Sequence, residues 1–314
     1  MNTIKIIKNR SDIGAGTRGS DMGIDAIEIA AINQGNDFFH KHLFQDLVTH
    51  NETIYNKNNN NFAKRIEHVV EQCKRVCEAV NENLTQGYFP IVLSGDHSSA
   101  LGTISGIKAA HPNKSLGVIW IDAHADIHSP FTSPSGNIHG MPLAAALGID
   151  NLECKINEPG DVTDSHWSNM KNMGIVGPKL KPAHLIYFGV RDFEEAEKFA
   201  IEKNNIRLVK VEELRYRGLD VCVQEAIGRL LDCDQIYISF DVDSMDCDNI
   251  SYGTGTPVPY GLLPSEVMKI ITALLETKKV CCIEFTEINP LLDNKGNKMA
   301  ETAFQVLDHI SKYI

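Results

Sequence analysis

The chain has 314 residues, 43% of them apolar and 23% charged, with a formal net charge of −11. That length allows one large domain or two small ones, and the composition excludes collagen-like and disordered classes. The acidic balance argues against a nucleic-acid partner and mildly favours a cationic ligand, although a solvated acidic surface accounts for it equally well.

The opening "MNTIKIIKNRSD" holds only a short apolar stretch, too short for a signal-peptide core, and no run approaches the length of a membrane span. The expectation is a cytoplasmic protein without a membrane partner. The eight cysteines are scattered without C-x-x-C spacing, which reads as reduced thiols.

Taken in order, the chain starts with an apolar strand at 4–7 (IKII), followed by "GAGTRG" with Gly14, Gly16 and Gly19. This fits G-x-G-x-x-G, but no compact βαβ unit follows and no acidic residue ends a second strand, so it reads as a glycine loop rather than a nucleotide site. The run "NKNNNNF" at 56–62 reads as a solvated loop before a long helix at 63–85, whose Cys73 and Cys77 share the apolar face with Ile66, Val69, Val70 and Val80. Strands follow at 89–93, 116–121, 185–190, 206–211, 235–240 and 280–286. Helical patterns lie near 98–110, 193–204, 221–232, 264–277 and 299–313. The segment 150–183 lacks clear periodicity and reads as a long surface connection. Alternating strand and helix predicts a three-layer α/β/α fold with a mainly parallel sheet, and the absence of a linker or repeat predicts a single domain, 1–314. In such sheets ligands bind beyond the carboxyl ends of the strands.

Three strands end in ionisable groups. "SGDHSS" places Asp96 and His97 at the end of the strand at 89–93; taken alone, a helix-capping or core role explains His97 equally well. "IWIDAHADIHSP" sets Asp122, His124, Asp126 and His128 at every second position, which puts them on one face of an extended chain. "SFDVDSMD" does the same for Asp241 and Asp243. Neighbouring carboxylates repel, so keeping them ionised at a strand end requires a cation or open solvent. An exposed acidic turn would have to be invoked three times. Asp122, His124, Asp126, His97, Asp241 and Asp243 are too many ligands for one tetrahedral zinc. They suit two five- or six-coordinate ions sharing bridging carboxylates, with manganese favoured by the oxygen-rich set.

These motifs resemble the three metal-binding motifs of the ureohydrolases, the arginase and agmatinase family, in order and spacing. "SGNIHG", "FGVRD", "GTGTP" and "EINP" are similar to further family motifs. The resemblance implies an arginase-like fold and two Mn2+ per chain. His97, Asp122, Asp126 and Asp241 would hold one ion and His124, Asp122, Asp241 and Asp243 the other, with Asp122 and Asp241 bridging. It implies a metal-activated hydroxide attacking a guanidinium carbon, and His139, Asp126 and Glu287 as the catalytic groups. His139 would protonate the leaving amine, while Glu287 would pair with the guanidinium nitrogens near Thr256. Ser135 and Asn137 would grip an α-carboxylate, and His128, Glu194 and Glu197 would meet the α-amino end.

The "SGN" element favours L-arginine, giving L-ornithine and urea. His128 stands where arginases usually carry Asn, Glu194 where they usually carry Asp, and Cys247 replaces a usual Pro after Asp246. The alternatives are an agmatinase, guanidinobutyrase or formimidoylglutamase, or a homologue that binds metal or arginine without turnover. The intact set of six ligands speaks against the last. A homo-oligomer is compatible with the resemblance. However, the chain stops soon after the last helical pattern, without the tail that helps some arginases trimerise, so the oligomeric state is left open.

Overall fold

The structure, a computed structural model, describes residues 3–56 and 60–314. Lys57, Asn58 and Asn59 of the expected Asn-rich loop lie outside the described residues. Among the described residues eight strands form one sheet: β1 (Ile4–Asn9), β2 (Leu43–Asp46), β3 (Phe89–Ser94), β4 (Leu116–Ile121), β5 (Leu185–Phe188), β6 (Arg207–Val209), β7 (Gln235–Asp241) and β8 (Val280–Thr286). All pairings are parallel, in the order β2-β1-β3-β8-β7-β4-β5-β6.

The helices are α1 (Gly23–Asn33), α2 (Phe38–Lys41), α3 (Ile66–Thr85), α4 (Ala100–Ala110), α5 (Pro142–Leu147), α6 (Asp161–Lys171), α7 (Glu195–Lys203), α8 (Val211–Arg217), α9 (Leu219–Arg229), α10 (Pro264–Glu276) and α11 (Lys298–Ser311). Because strand side chains alternate, the sheet feeds two separate cores. Ile6, Ile91, Ile119, Ile238 and Phe285 pack with Ile27 of α1, Ile270 of α10 and Phe304 of α11. Ile7, Val92, Val118, Tyr187 and Tyr237 pack with Val76 of α3, Ile104 of α4, Trp167 of α6 and Ile201 of α7. This is the three-layer arrangement expected from the sequence.

The strand order places the site. After β3 the chain skips two positions to β4 and runs outward to β6, then returns to fill the gap with β7 and β8. The carboxyl ends of β3, β8, β7 and β4 thus lie side by side although the chain visits them far apart, which is the setting in which α/β sheets bind ligands.

Three local expectations are corrected. The segment 150–183 is not merely a surface connection: it contains α6, whose Trp167 and Met170 are buried against the sheet's helical layer. So few apolar anchors leave little periodic signal. The edge strand β2 was not expected; Leu43 and Phe44 are exposed, and it exists through its pairing with β1. The strand expected at 206–211 is shorter, because α8 begins at Val211.

Candidate metal centre and cleft

β3 ends at Ser94, and the chain turns through Gly95 and Asp96 into a 3-10 turn at His97–Ser99 that leads into α4. The Asp96 carboxylate accepts from the Ser98 amide at 2.9 Å, capping this turn, and from the Gly14 amide at 2.9 Å. That second bond pins the glycine loop to the site. A Cβ on Gly14 would lie 2.6 Å from Ser98 Oγ and 2.7 Å from Asp96 Oδ1, so the close approach itself demands glycine. The Gly14 carbonyl in turn accepts from the His139 amide at 3.1 Å.

The His97 ring stacks on Trp120 with centroids 4.0 Å apart and planes 8° from parallel, and its Nε2 lies 2.7 Å from Ser239 Oγ. Its Nδ1 faces Asp126 Oδ2 at 2.9 Å, Asp122 Oδ2 at 3.0 Å and Asp241 Oδ2 at 3.2 Å. His124 Nδ1 lies 3.0 Å from Asp243 Oδ2 and 3.6 Å from Asp122 Oδ1. Asp122 therefore turns one oxygen to each imidazole. The ligand atoms of His97, Asp122 and Asp126, and those of Asp122, His124 and Asp243, lie within 4.8 Å of one another in each group.

These residues suit divalent cations. His97 Nδ1 and Asp122 Oδ2 are buried polar atoms without a hydrogen-bond partner. Burial, together with Asp243 and Asp122, pushes Asp241 well above the usual carboxylate range, and burial with Asp122 pushes Asp126 up to about 6. Buried acceptors that converge and repel one another are relieved by a cation. The ligands are also held from behind: Asp243 accepts from the Ala123 amide at 3.1 Å and from Thr256 Oγ1 at 3.0 Å, while Asp241 accepts from the Asp243 amide at 2.8 Å.

The alternation expected from Asp122 to His128 holds only in part. Asp126 adopts φ 49°, which breaks the extended chain. His128 consequently leaves the two groups that share Asp122 and joins Glu194 and Glu197 in a third group of ligand-type atoms within 4.8 Å of one another: its Nε2 lies 2.9 Å from Glu194 Oε2 and 3.6 Å from Glu197 Oε2, and its Nδ1 lies 3.1 Å from Thr132 Oγ1. Glu194 caps α7, its amide donating to Glu197 Oε2 at 3.1 Å, and burial pushes Glu197 well above the carboxylate range.

His139 Nδ1 lies 3.0 Å from Glu287 Oε1, which also accepts from the His97 amide at 3.0 Å. Burial opposes charge on His139, but the bond to Glu287 and its negative charge push the imidazole up to about 9. Ser135 accepts from the Asn137 amide at 3.2 Å, and Lys64 Nζ donates to Asn137 Oδ1 at 3.2 Å.

One cleft of about 280 Å³ is lined by His97, His124, Asp126, Asp241, Asp243, His139, Glu287, Ser135, Asn137, His128, Glu194, Glu197 and Thr256. Asp122, fully buried, is the one candidate site residue outside that lining.

Four supporting residues escaped the sequence reading. Trp120 and Ser239 lie inside apolar strand runs, and only a serine in the buried stretch "IYISF" signalled anything. Asp192 lines the cleft, with Oδ2 3.9 Å from His124 Nε2. Arg191 of "FGVRD" donates to the carbonyls of Asp243, Ser244 and Val258 and so fixes the loop behind Asp243.

The sequence model of the Arginase family matches residues 2–311. The chain is 33% identical over 310 residues to the arginase of Bacillus subtilis (strain 168), covering 98% of this chain and 97% of that protein. It is 34% identical over 312 residues to the arginase of Bacillus caldovelox, with 98% and 97% covered. The solved native structure of the Bacillus caldovelox arginase superposes with a TM-score of 0.83 at 33% identity, covering 99% of this chain and 98% of that one.

Proposed function

Since the chain belongs to the arginase family, we propose that it is a manganese-dependent arginase that hydrolyses L-arginine to L-ornithine and urea. The observation that carries this reading is the pair of metal-competent groups sharing Asp122, in one cleft with the His139–Glu287 pair. His97, Asp122, Asp126 and Asp241 would hold one manganese and His124, Asp122, Asp241 and Asp243 the other. Divalent ions bound there supply Lewis acidity and make water acidic enough to act as hydroxide near neutral pH.

The remaining steps belong to the chain's own groups. The Glu287 carboxylate accepts hydrogen bonds from the guanidinium and, with Thr256, orients it. Protonated His139, held through Nδ1 by Glu287, donates from Nε2 to the departing amine nitrogen as the carbon–nitrogen bond breaks. Ser135 and Asn137 bind the α-carboxylate, and Glu194, Glu197 and His128 receive the α-ammonium end. Asp126, as a ligand beside the reacting water, shares in its orientation.

The joining of all eight strands in one sheet supports reading residues 1–314 as a single domain. A small soluble substrate, the acidic net charge and the scattered cysteines support a cytoplasmic enzyme without nucleic-acid or membrane partners; no helix among the described residues is long and apolar enough to cross a membrane.

The test is urea release from L-arginine, agmatine and guanidinobutyrate, and formamide release from formimidoylglutamate, each with and without added Mn2+. A higher kcat/KM for any of the other three than for arginine would replace the substrate assignment. No stimulation by Mn2+ after chelation would overturn the metal assignment.

A further inference from the structure

Among the described residues that line the cleft are carboxylates, imidazoles, two hydroxyl groups and Asn137, but no lysine or arginine. A substrate carboxylate entering there would be received by neutral groups alone, Ser135 and Asn137, beside several acidic side chains. Lys64 supplies a positive charge from behind them. Its Nζ donates to Asn137 Oδ1 at 3.2 Å, although Lys64 itself is outside the lining.

The segment before α3 is fastened on both sides of this contact. The Lys64 amide donates to the Gly136 carbonyl at 2.7 Å, and Gly136, at φ 71°, sits where a Cβ would collide with the Asn61 carbonyl. Arg65, at φ 57°, sends its side chain to the other loop: Nε donates to the Ile13 carbonyl at 2.7 Å and Nη2 to the Ala15 carbonyl at 3.3 Å. Lys64 and Arg65 thus clasp the "SGN" element and the glycine loop together. Gly16 of that glycine loop lies against the other end of the amide, where a Cβ would stand 2.6 Å from Asn137 Nδ2.

An ammonium group only donates, so the amide atom facing Lys64 must be the oxygen. With Oδ1 taken, Asn137 has its N–H donors left to offer the cleft, and the charge on Lys64 polarises the amide so that they donate more strongly. We propose that Lys64 is a positioning residue for substrate selectivity: acting through Asn137, it presents an amide donor to the α-carboxylate and so favours guanidino substrates that carry one. This rests on the reading of Asn137 as the carboxylate contact.

The test is steady-state kinetics with L-arginine and agmatine on Lys64→Met, Lys64→Arg and Lys64→Glu, and on Lys64→Met combined with Asn137→Ala. Lys64→Met removes donor and charge, and should raise KM for arginine about 10-fold with little change in kcat, while agmatine, without a carboxylate, is affected far less. Lys64→Arg still only donates and should keep the wild-type preference. Lys64→Glu only accepts, which favours the reversed amide, and should cost arginine more than Lys64→Met does. In the Asn137→Ala background Lys64→Met should add nothing further, because both act along one path. Equal losses on the two substrates would mark a loosened loop and overturn the proposal, as would a Lys64→Met protein with the wild-type preference or an additive double variant. A wild-type protein that prefers agmatine would instead remove the arginine reading, and this inference with it.

Discussion

His139 Nδ1 and Glu287 Oε1 stand 3.0 Å apart across 148 residues of sequence. Glu287 reaches that position in a left-handed backbone conformation, φ 66°, a strain that a non-glycine residue bears where the surrounding structure enforces it. In the proposed mechanism the pair joins a proton donor to the carboxylate that would orient the guanidinium. His139→Ala should therefore lower kcat by about 10² to 10⁴ with metal content unchanged. Kinetics alongside elemental analysis checks this, and loss of metal would recast His139 as a ligand.

Asp122 turns one oxygen toward His97 and the other toward His124. An amide at this position keeps the shape but removes a negative charge from between the two cations proposed to bind there. Asp122→Asn should bind less than two Mn2+ and lose turnover almost entirely. Retention of a tenth of wild-type activity would refute a bridging role.

On the proposed binding of the α-carboxylate, selectivity for arginine over agmatine should depend on Asn137, whose amide, with the neighbouring Ser135 hydroxyl, would have no carboxylate to meet in agmatine. Sites built for polar partners reject analogues lacking them by up to about 10⁴, and His128 with Glu194 is expected to reduce that margin. Asn137→Ala should narrow the ratio of kcat/KM values mainly by weakening arginine. A ratio unchanged by the substitution would locate the carboxylate contact elsewhere.

Away from the cleft, hydrogen bonds from Arg207, then Arg217 and Arg229, pull the Glu225 carboxyl down to about 2 from its ordinary 4.5. Since the folded value is the lower one, the stabilisation is present above pH 4.5 and fades as pH falls toward 2. Glu225→Gln should melt below wild type at pH 7, by a modest margin because the cluster is partly solvated, and the two curves should converge in acid. Melting curves that stay equally far apart down to low pH would show that the loss is not electrostatic.

The strand ends and the six candidate ligands were legible in the sequence because each is a local pattern: an apolar run of strand length, then carboxylates and imidazoles within a few residues of its end. Periodicity likewise announced α3, α10 and α11, whose apolar faces recur turn by turn. Where the local signal was thin, as in α6 with its few buried side chains or β2 with none, the reading failed.

Other features were decided only when the chain closed on itself. The insertion of β7 and β8 between β3 and β4 is a choice among parallel pairings that no short window encodes, and it alone brings His97, Asp122, Asp241 and Glu287 to one place. The turn at Asp126 sends His128 away from its neighbours in sequence and toward Glu194. Ser239 and Glu284 lie inside apolar strand runs and gave little signal there; their hydrogen bonds reach His97 and Ser94, far away in sequence. Sequence patterns report which groups can be buried or charged, because those are properties of single segments. Which group satisfies which depends on nonlocal packing, because a buried polar atom must find its partner wherever the fold places one.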